Sequence, residues 1–378
     1  MASFPRPDPR LATRLAFAIA GFVTACWAPL IPFAKARLMV NNAALGALLL
    51  SFGVGSMFGV SLAGLFASRI GARAVVIAGG LGLCLALPLL AIAPTPWTLG
   101  PALFGFGVSL GALDVAMNVH GAEVEALAGR PLMSGFHALF RLGGFAGAGW
   151  MTLALARHLT PLAATIWAAG AAIVLVAACV AGLLKTRPVE PGPFFVAPSG
   201  LVVVIAALAG VMFLAEGAVF DWSALLIVER RLAAATSAGV GFILFSLAMT
   251  LGRLCGDAVV RRMGGLRVLR WGGGLALCGL LLVVACPVAP LAIGGFLLVG
   301  FGAANVVPIL FSAAGRQTSM PSGLAVAAVT STGYVGALAG PPGLGLVSQA
   351  VGLQGAFWIV IALVSLVPLL AGKATADP

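Results

Sequence analysis

Twelve stretches of twenty or more mostly apolar residues fill this chain from end to end, and short connections between them carry nearly all the charge. No other feature limits the possible folds so tightly. About 20 apolar residues are what an α-helix needs to cross the hydrocarbon of a bilayer. The runs lie near 11–34, 43–67, 74–94, 97–127, 132–156, 161–184, 199–227, 237–260, 266–286, 289–314, 322–348 and 353–372. Hydrophobic residues make up 61% and charged residues 8%, against roughly 25% charged in a soluble domain. The 51 glycines and 23 prolines are tolerated in membrane helices, where neighbouring helices satisfy freed backbone groups. The expected fold class is an all-α membrane protein with twelve transmembrane helices, in contact with lipid along its whole length.

The formal charge of +11 raises nucleic acid as a partner, but the Lys and Arg residues sit in short clusters between apolar runs and not along one face, so no nucleic acid is expected. Topology explains them better, because basic loops stay in the cytoplasm. With the N-terminus inside, fourteen Lys and Arg face the cytoplasm: Arg6, Arg10, Arg14, Arg69, Arg73, Arg130, Lys185, Arg187, Arg261, Arg262, Arg267, Arg270, Arg316 and Lys373. Five face outward: Lys35, Arg37, Arg157, Arg230 and Arg231. Both termini are then cytoplasmic. The first run is long enough to span and reads as a retained helix. Cys26, Cys84, Cys179, Cys255, Cys278 and Cys286 all fall inside apolar runs with no CxxC pair. Neither disulfides nor a metal or cofactor is expected.

The midpoint falls in the most linker-like segment, which divides the chain into 1–184, a cytoplasmic linker 185–198, and 199–378. The halves echo one another. Gly105-Phe106-Gly107 in the fourth run matches Gly300-Phe301-Gly302 in the tenth. Ser134-Gly135 matches Ser322-Gly323, and Arg69-Ile70-Gly71 matches Arg262-Met263-Gly264. Their common order argues for two pseudo-symmetric six-helix bundles.

That architecture resembles the major facilitator superfamily. The family's loop signature after helix two, G-x-L-a-D-r-x-G-r-k, is matched at Gly64, Arg69, Gly71 and Arg73, with Ser68 in place of the usual Asp. The runs Gly111–Asn118, Glu216–Leu226 and Gly300–Arg316 are similar to a bacterial branch related to the fucose–proton symporters. The resemblance implies a bacterial inner-membrane carrier that moves a small-molecule substrate by alternating access. It also implies coupling to protons, with a proton-coupling acid on helix four and gating roles for Arg69 and Arg73.

Ionisable groups at bilayer depth are expensive and point to function. Asp114 and Asn118, and likewise His137 and Arg141, are four residues apart and share a helix face. A tight connection near Gly129 makes helices four and five an antiparallel hairpin, with Asn118 level with Arg141 and Asp114 one turn deeper. An Asp114–Arg141 pair is therefore expected, either as a static clamp or as part of a proton cycle. Glu216 and Asp221 lie on different faces of helix seven. Glu216 is the deeper, followed by Gly217, and reads as a second proton-coupling acid or a packing hydrogen bond. Asp221 reads as a gate contact or interfacial cap. Trp27, Asn118, His137, Asn305, Thr330 and Tyr334 are the candidates to line a substrate cavity, although Ser and Thr hydroxyls often bond their own helix. Arg253, Asp257 and Arg261 share one face of helix eight, as a gate latch or a solvated helix end. Pro29, Pro32, Pro308, Pro341 and Pro342 predict kinks in helices one, ten and eleven.

A proton-driven secondary carrier is the leading expectation, with an efflux antiporter as its nearest alternative. No Walker motif is present, so the chain has no ATP engine of its own. A non-transporting sensor and an intramembrane enzyme are the readings from other classes. Gly107-Val108-Ser109-Leu110-Gly111 matches G-x-S-x-G, yet that motif needs a strand-to-helix elbow and here lies in an apolar helix. The plentiful small-xxx-small pairs, among them Gly55/Gly59, Gly107/Gly111 and Gly143/Gly147, indicate dense packing and no particular dimer face, so a monomer is expected.

Overall fold

The computed structural model describes residues 8–129, 132–184 and 196–375, apart from the side chains at 64–70, 134, 257 and 322. The side chains of Arg69 and Asp257 and most of the expected linker lie outside the described residues. Among the described residues every regular element is helical.

Eleven helical stretches are long and apolar enough to cross a membrane. The last, Gly323–Ala374, has 52 residues, about twice what a bilayer needs. Gly352 interrupts it with φ 74° and ψ 165°, so it is long enough for two crossings, which gives twelve among the described residues. Spans 1 to 6 are Pro9–Leu38, Asn42–Ile70, Ala72–Ile92, Pro96–Ala128, Met133–Ala156 and Pro161–Val180. Spans 7 to 10 are Leu201–Glu229, Val240–Leu254 with Gly256–Met263, Gly265–Ala285, and Ala289–Ala303 with Val306–Arg316. Spans 11 and 12 are 322–351 and 353–374.

The ends follow from local chemistry. Span 4 starts on a capping box in which Thr95 and Thr98 each bond the other's backbone N–H, with Pro96 at the first helical position. Span 6 keeps half of the device: the Thr160 hydroxyl accepts from the Ala163 N–H, with Pro161 at the first helical position. Gly129, at φ 63°, closes span 4 in the left-handed conformation.

Contacts divide the chain into two compact units, Met1–Met39 with Ser51–Pro191 and Val40–Leu50 with Gly192–Pro378. In the first, span 1 packs on span 5 through Gly21, Gly143 and Gly147. A Cβ on Gly147 would lie 2.0 Å from the Phe22 carbonyl oxygen. Spans 2 and 4 interlock through Gly55, Gly59, Gly107 and Gly111, each pressed on a backbone carbonyl of the other span. Only glycine permits such an approach. The second unit repeats the plan: Gly336 of span 11 lies against Gly210 of span 7, and Gly300 of span 10 against Phe245 of span 8. Large apolar side chains left uncovered, such as Trp97, Trp271 and Leu369, belong in hydrocarbon.

Candidate functional site

Two helix breaks in the second unit meet and satisfy one another. Span 10 breaks at Ala304 and Asn305. The cause is Pro308, which has no N–H to give the carbonyl four residues back and so releases Ala304 O. Span 8 breaks at Cys255, and a helix end there leaves carbonyls without their usual helical partners. Arg253 Nε donates to Ala304 O at 3.2 Å, and Asn305 Nδ2 donates to Gly252 O at 3.1 Å. Each break thus supplies the donor that the other lacks. Gly256 makes the crossing possible, since a Cβ there would lie 2.1 Å from Asn305 Oδ1.

Glu216 of span 7 completes the group. Its Oε1 lies 3.7 Å from Arg253 Nη2, and the side chains of Arg253 and Glu216 keep 31% and 17% exposure. Glu216, Arg253 and Asn305, expected in three separate roles, therefore form one constellation on spans 7, 8 and 10. A carboxylate that gains a proton here loses its hold on the guanidinium, and the guanidinium also braces a broken helix.

The first unit carries a different arrangement. Asn118 Nδ2 donates to Asp114 O at 2.8 Å and to Asp114 Oδ1 at 3.3 Å, as the four-residue spacing predicts. Spans 4 and 5 do not pack as the expected hairpin. Their glycines draw span 4 against span 2 and span 5 against span 1, so the two helices touch little. Glu125 of span 4 reaches the start of span 5, where its Oε2 accepts from the backbone N–H of Leu132 and Met133. Arg141 is half-buried and already engaged.

Comparison with known proteins decides the family. Residues 14–323 match the Major Facilitator Superfamily. The chain belongs to the major facilitator superfamily. It is 46% identical over 373 residues to an uncharacterised MFS-type transporter of Yersinia pestis, covering 98% of this chain and 97% of that one. The fold matches a variant of the nucleoside transporter NupG at a TM-score of 0.80 and 12% identity, over 98% of this chain and all (100%) of that one. It matches a D-xylose-proton symporter at 0.75 and 14% identity, over 97% of each. This facilitator is thus a multi-pass membrane transporter and not an enzyme. Ser109 fits that result, because its hydroxyl donates to Gly105 O inside an unbroken helix.

The remaining candidates of this facilitator are spread more widely. Thr330 bonds the Val326 carbonyl of its own helix, and Tyr334 is exposed. His137 meets Phe17 edge to face at 5.1 Å. Trp27 sits fully buried where span 1 breaks ahead of Pro29, and its Nε1 has no partner among the described residues. Arg73 is half-buried and Arg261 is exposed at the end of span 8. Asp221 is buried, with 6% exposure, and its Oδ1 has no partner among the described residues. An unsatisfied buried group of this kind costs about 1–3 kcal/mol, more if charged.

Three groups lay beyond the sequence reading. His120 is buried: Leu184 N–H donates to its Nε2 at 2.8 Å, and its Nδ1 lies 2.9 Å from Thr13 Oγ1. Thr13 itself donates to Pro9 O, so the ring proton sits on Nδ1 and the imidazole is neutral. His120 thereby ties together span 1, span 4 and the end of span 6. Arg37 donates to the carbonyls of Leu90, Ala91 and Ala93 at the end of span 3. Arg230 does the same for Val283 and Cys286 at the end of span 9. Their signal in the sequence was their place among the few basic residues on the disfavoured side.

Proposed function

We propose that this transporter is a secondary carrier that uses a proton gradient to move a small polar or amphipathic solute by alternating access. It works in a bacterial inner membrane with both termini in the cytoplasm. The observation that carries the reading is the Glu216–Arg253 pair at the crossing of two broken helices. Protonation of Glu216 weakens its grip on Arg253, which is then free to move with the half-helices it braces. Broken helices near ion and substrate sites are a recurring device of secondary transporters. The structural neighbour named as a D-xylose-proton symporter supports proton coupling by fold alone. Asp114 and Arg141 serve the same cycle in the first bundle. Trp27, Asn118, His137, Asn305, Thr330 and Tyr334 contribute to solute contact, and Arg69, Arg73, Asp257 and Arg261 to gating.

The test is transport in proteoliposomes, after a thermal-shift screen of sugars, sugar acids, nucleosides and amino acids has supplied a substrate. Glu216→Gln keeps shape and removes the titrating group. Gradient-driven accumulation should collapse while substrate exchange across equal pH survives. Accumulation by Glu216→Gln that still follows the pH gradient would remove Glu216 from the cycle.

A further inference from the structure

The C-terminal half of span 7 holds an acid that the constellation around Glu216 does not use. Asp221 is buried, and its Oδ1 has no hydrogen-bond partner among the described residues. Its two neighbours repeat the pattern: Trp222 Nε1 and Ser223 Oγ are also buried without a partner among the described residues. Successive residues on a helix point about 100° apart, so no single neighbour could satisfy all three. Native proteins rarely leave even one such group, and each exception calls for a reason. Three in succession mark a turn that carries more polar groups than this arrangement satisfies. One turn earlier, Gly217 leaves room for movement, since the nearest atom to a Cβ there would be Ala337 O at 3.8 Å.

The geometry points to Asp221 as a second proton-binding site of the second bundle, loaded in this conformation and emptied when water reaches it. Resting on the proton-coupled reading above, it adds an acid distinct from Glu216. The step is simple: the carboxylate takes one proton to become the neutral acid, and the same proton leaves to water when span 7 is wetted. No donor among the described residues reaches Oδ1 of an anion there, whereas the neutral acid removes the charge. Glu216 differs, because Arg253 stands ready to compensate its anion.

Infrared spectroscopy of the purified, lipid-reconstituted protein, titrated with pH alone, tests this without a known substrate. The wild type should show a neutral-carboxyl C=O band at neutral pH that disappears reversibly at alkaline pH. Asp221→Asn should lack that band, and Asp221→Glu should restore it at a shifted frequency, which also covers the case of a poorly folded Asn variant. Identical carboxyl spectra in wild type and folded Asp221→Asn overturn the inference. So does a band lost in Asp221→Asn that persists at every pH, since that describes a static neutral acid. If the titrating band is lost in Glu216→Gln instead, the Asp221 site is overturned while the proposed function stands. The proposed function has its own separate failure, transport indifferent to a pH gradient.

Discussion

The two bundles share a scaffold and differ in chemistry. Gly71 and Gly264 open spans 3 and 9 with nearly the same backbone, φ 82°, ψ 151° and φ 79°, ψ 152°. Arg37 and Arg230 cap the far ends of those same spans. Spans 2 and 4, however, run unbroken, while their counterparts 8 and 10 are both broken. The register that pairs Gly71 with Gly264 sets Val60 opposite Arg253. The Gly-Phe-Gly match sets Leu110 opposite Asn305. The first bundle closes its crossing of spans 2 and 4 with glycines on carbonyls, whereas the crossing of spans 8 and 10 keeps one such contact, Gly300 on Phe245 O, and adds a guanidinium and an amide. A dry contact between backbones can only hold. A contact made by ionisable side chains can hold or release as charge changes, so on the function proposed above the crossing of spans 8 and 10 is one that can switch.

Breaking that crossing should give the largest effect. Removing one partner of a fully buried ion pair costs roughly 3–5 kcal/mol. With Arg253 31% exposed, solvent screening should reduce the loss for Arg253→Ala to about half of that. Thermal unfolding in detergent measures it. The double variant Arg253→Ala with Glu216→Gln should recover part of the loss but not the bond to Ala304. Complete recovery would mean that the broken helix needs no brace. The matching change in the first bundle, Val60→Ala, should cost clearly less.

The caps come next. Arg37→Ala gives up three carbonyls and Arg230→Ala gives up two. Charged hydrogen bonds contribute about 1.5–3 kcal/mol, so about 2 kcal/mol is expected for Arg37→Ala and somewhat less for Arg230→Ala. Lysine should rescue neither fully, because a point charge cannot reach several carbonyls in the planar fork of a guanidinium. Melting temperatures of the four variants would settle the order, and full rescue by lysine would reduce the caps to simple charge at a helix C-terminus.

Smaller and symmetric effects are expected at the glycines. Their φ and ψ lie in a region nearly closed to other residues, where strain costs about 1–3 kcal/mol. Gly71→Ala and Gly264→Ala should therefore destabilise by similar amounts. A loss at one and none at the other would break the repeat at its best-matched point.

Much of this comparison was legible in the sequence. Run lengths gave the spans, the Arg-x-Gly matches gave the repeat, and Pro308 marked the break in span 10. The break in span 8 had no such mark, and the Asn305 that meets it comes from a distant span. The meeting of Glu216 with Arg253 was hidden for the same reason: spacing along one helix says nothing of which helix lies beside it. The hairpin of spans 4 and 5 failed as a packing unit because a short loop predicts adjacency, whereas close packing followed the glycines to spans 1 and 2. His120 was passed over because its partners, Thr13 and Leu184, come from opposite ends of the bundle's sequence.

The smallest expected effect is the sharpest test of the difference between the bundles. Asp114→Asn keeps the carbonyl that Asn118 grips at 2.8 Å and alters only the longer contact at 3.3 Å. An amide oxygen accepts that second bond as a carboxylate oxygen does. If the first bundle holds no charged crossing, stability should change by less than about 0.5 kcal/mol, the range of a substitution that breaks no network. Glu216→Gln, which deprives Arg253 of its counter-charge, should cost visibly more in the same melting assay. A large loss for Asp114→Asn would mean that a cation depends on its charge, and Arg141 is the one to try first. Arg141→Ala combined with Asp114→Asn should then restore stability, because no orphan charge would remain. The two bundles would in that case share an acid–base device as well as a scaffold, and the contrast between a holding half and a switching half would fall.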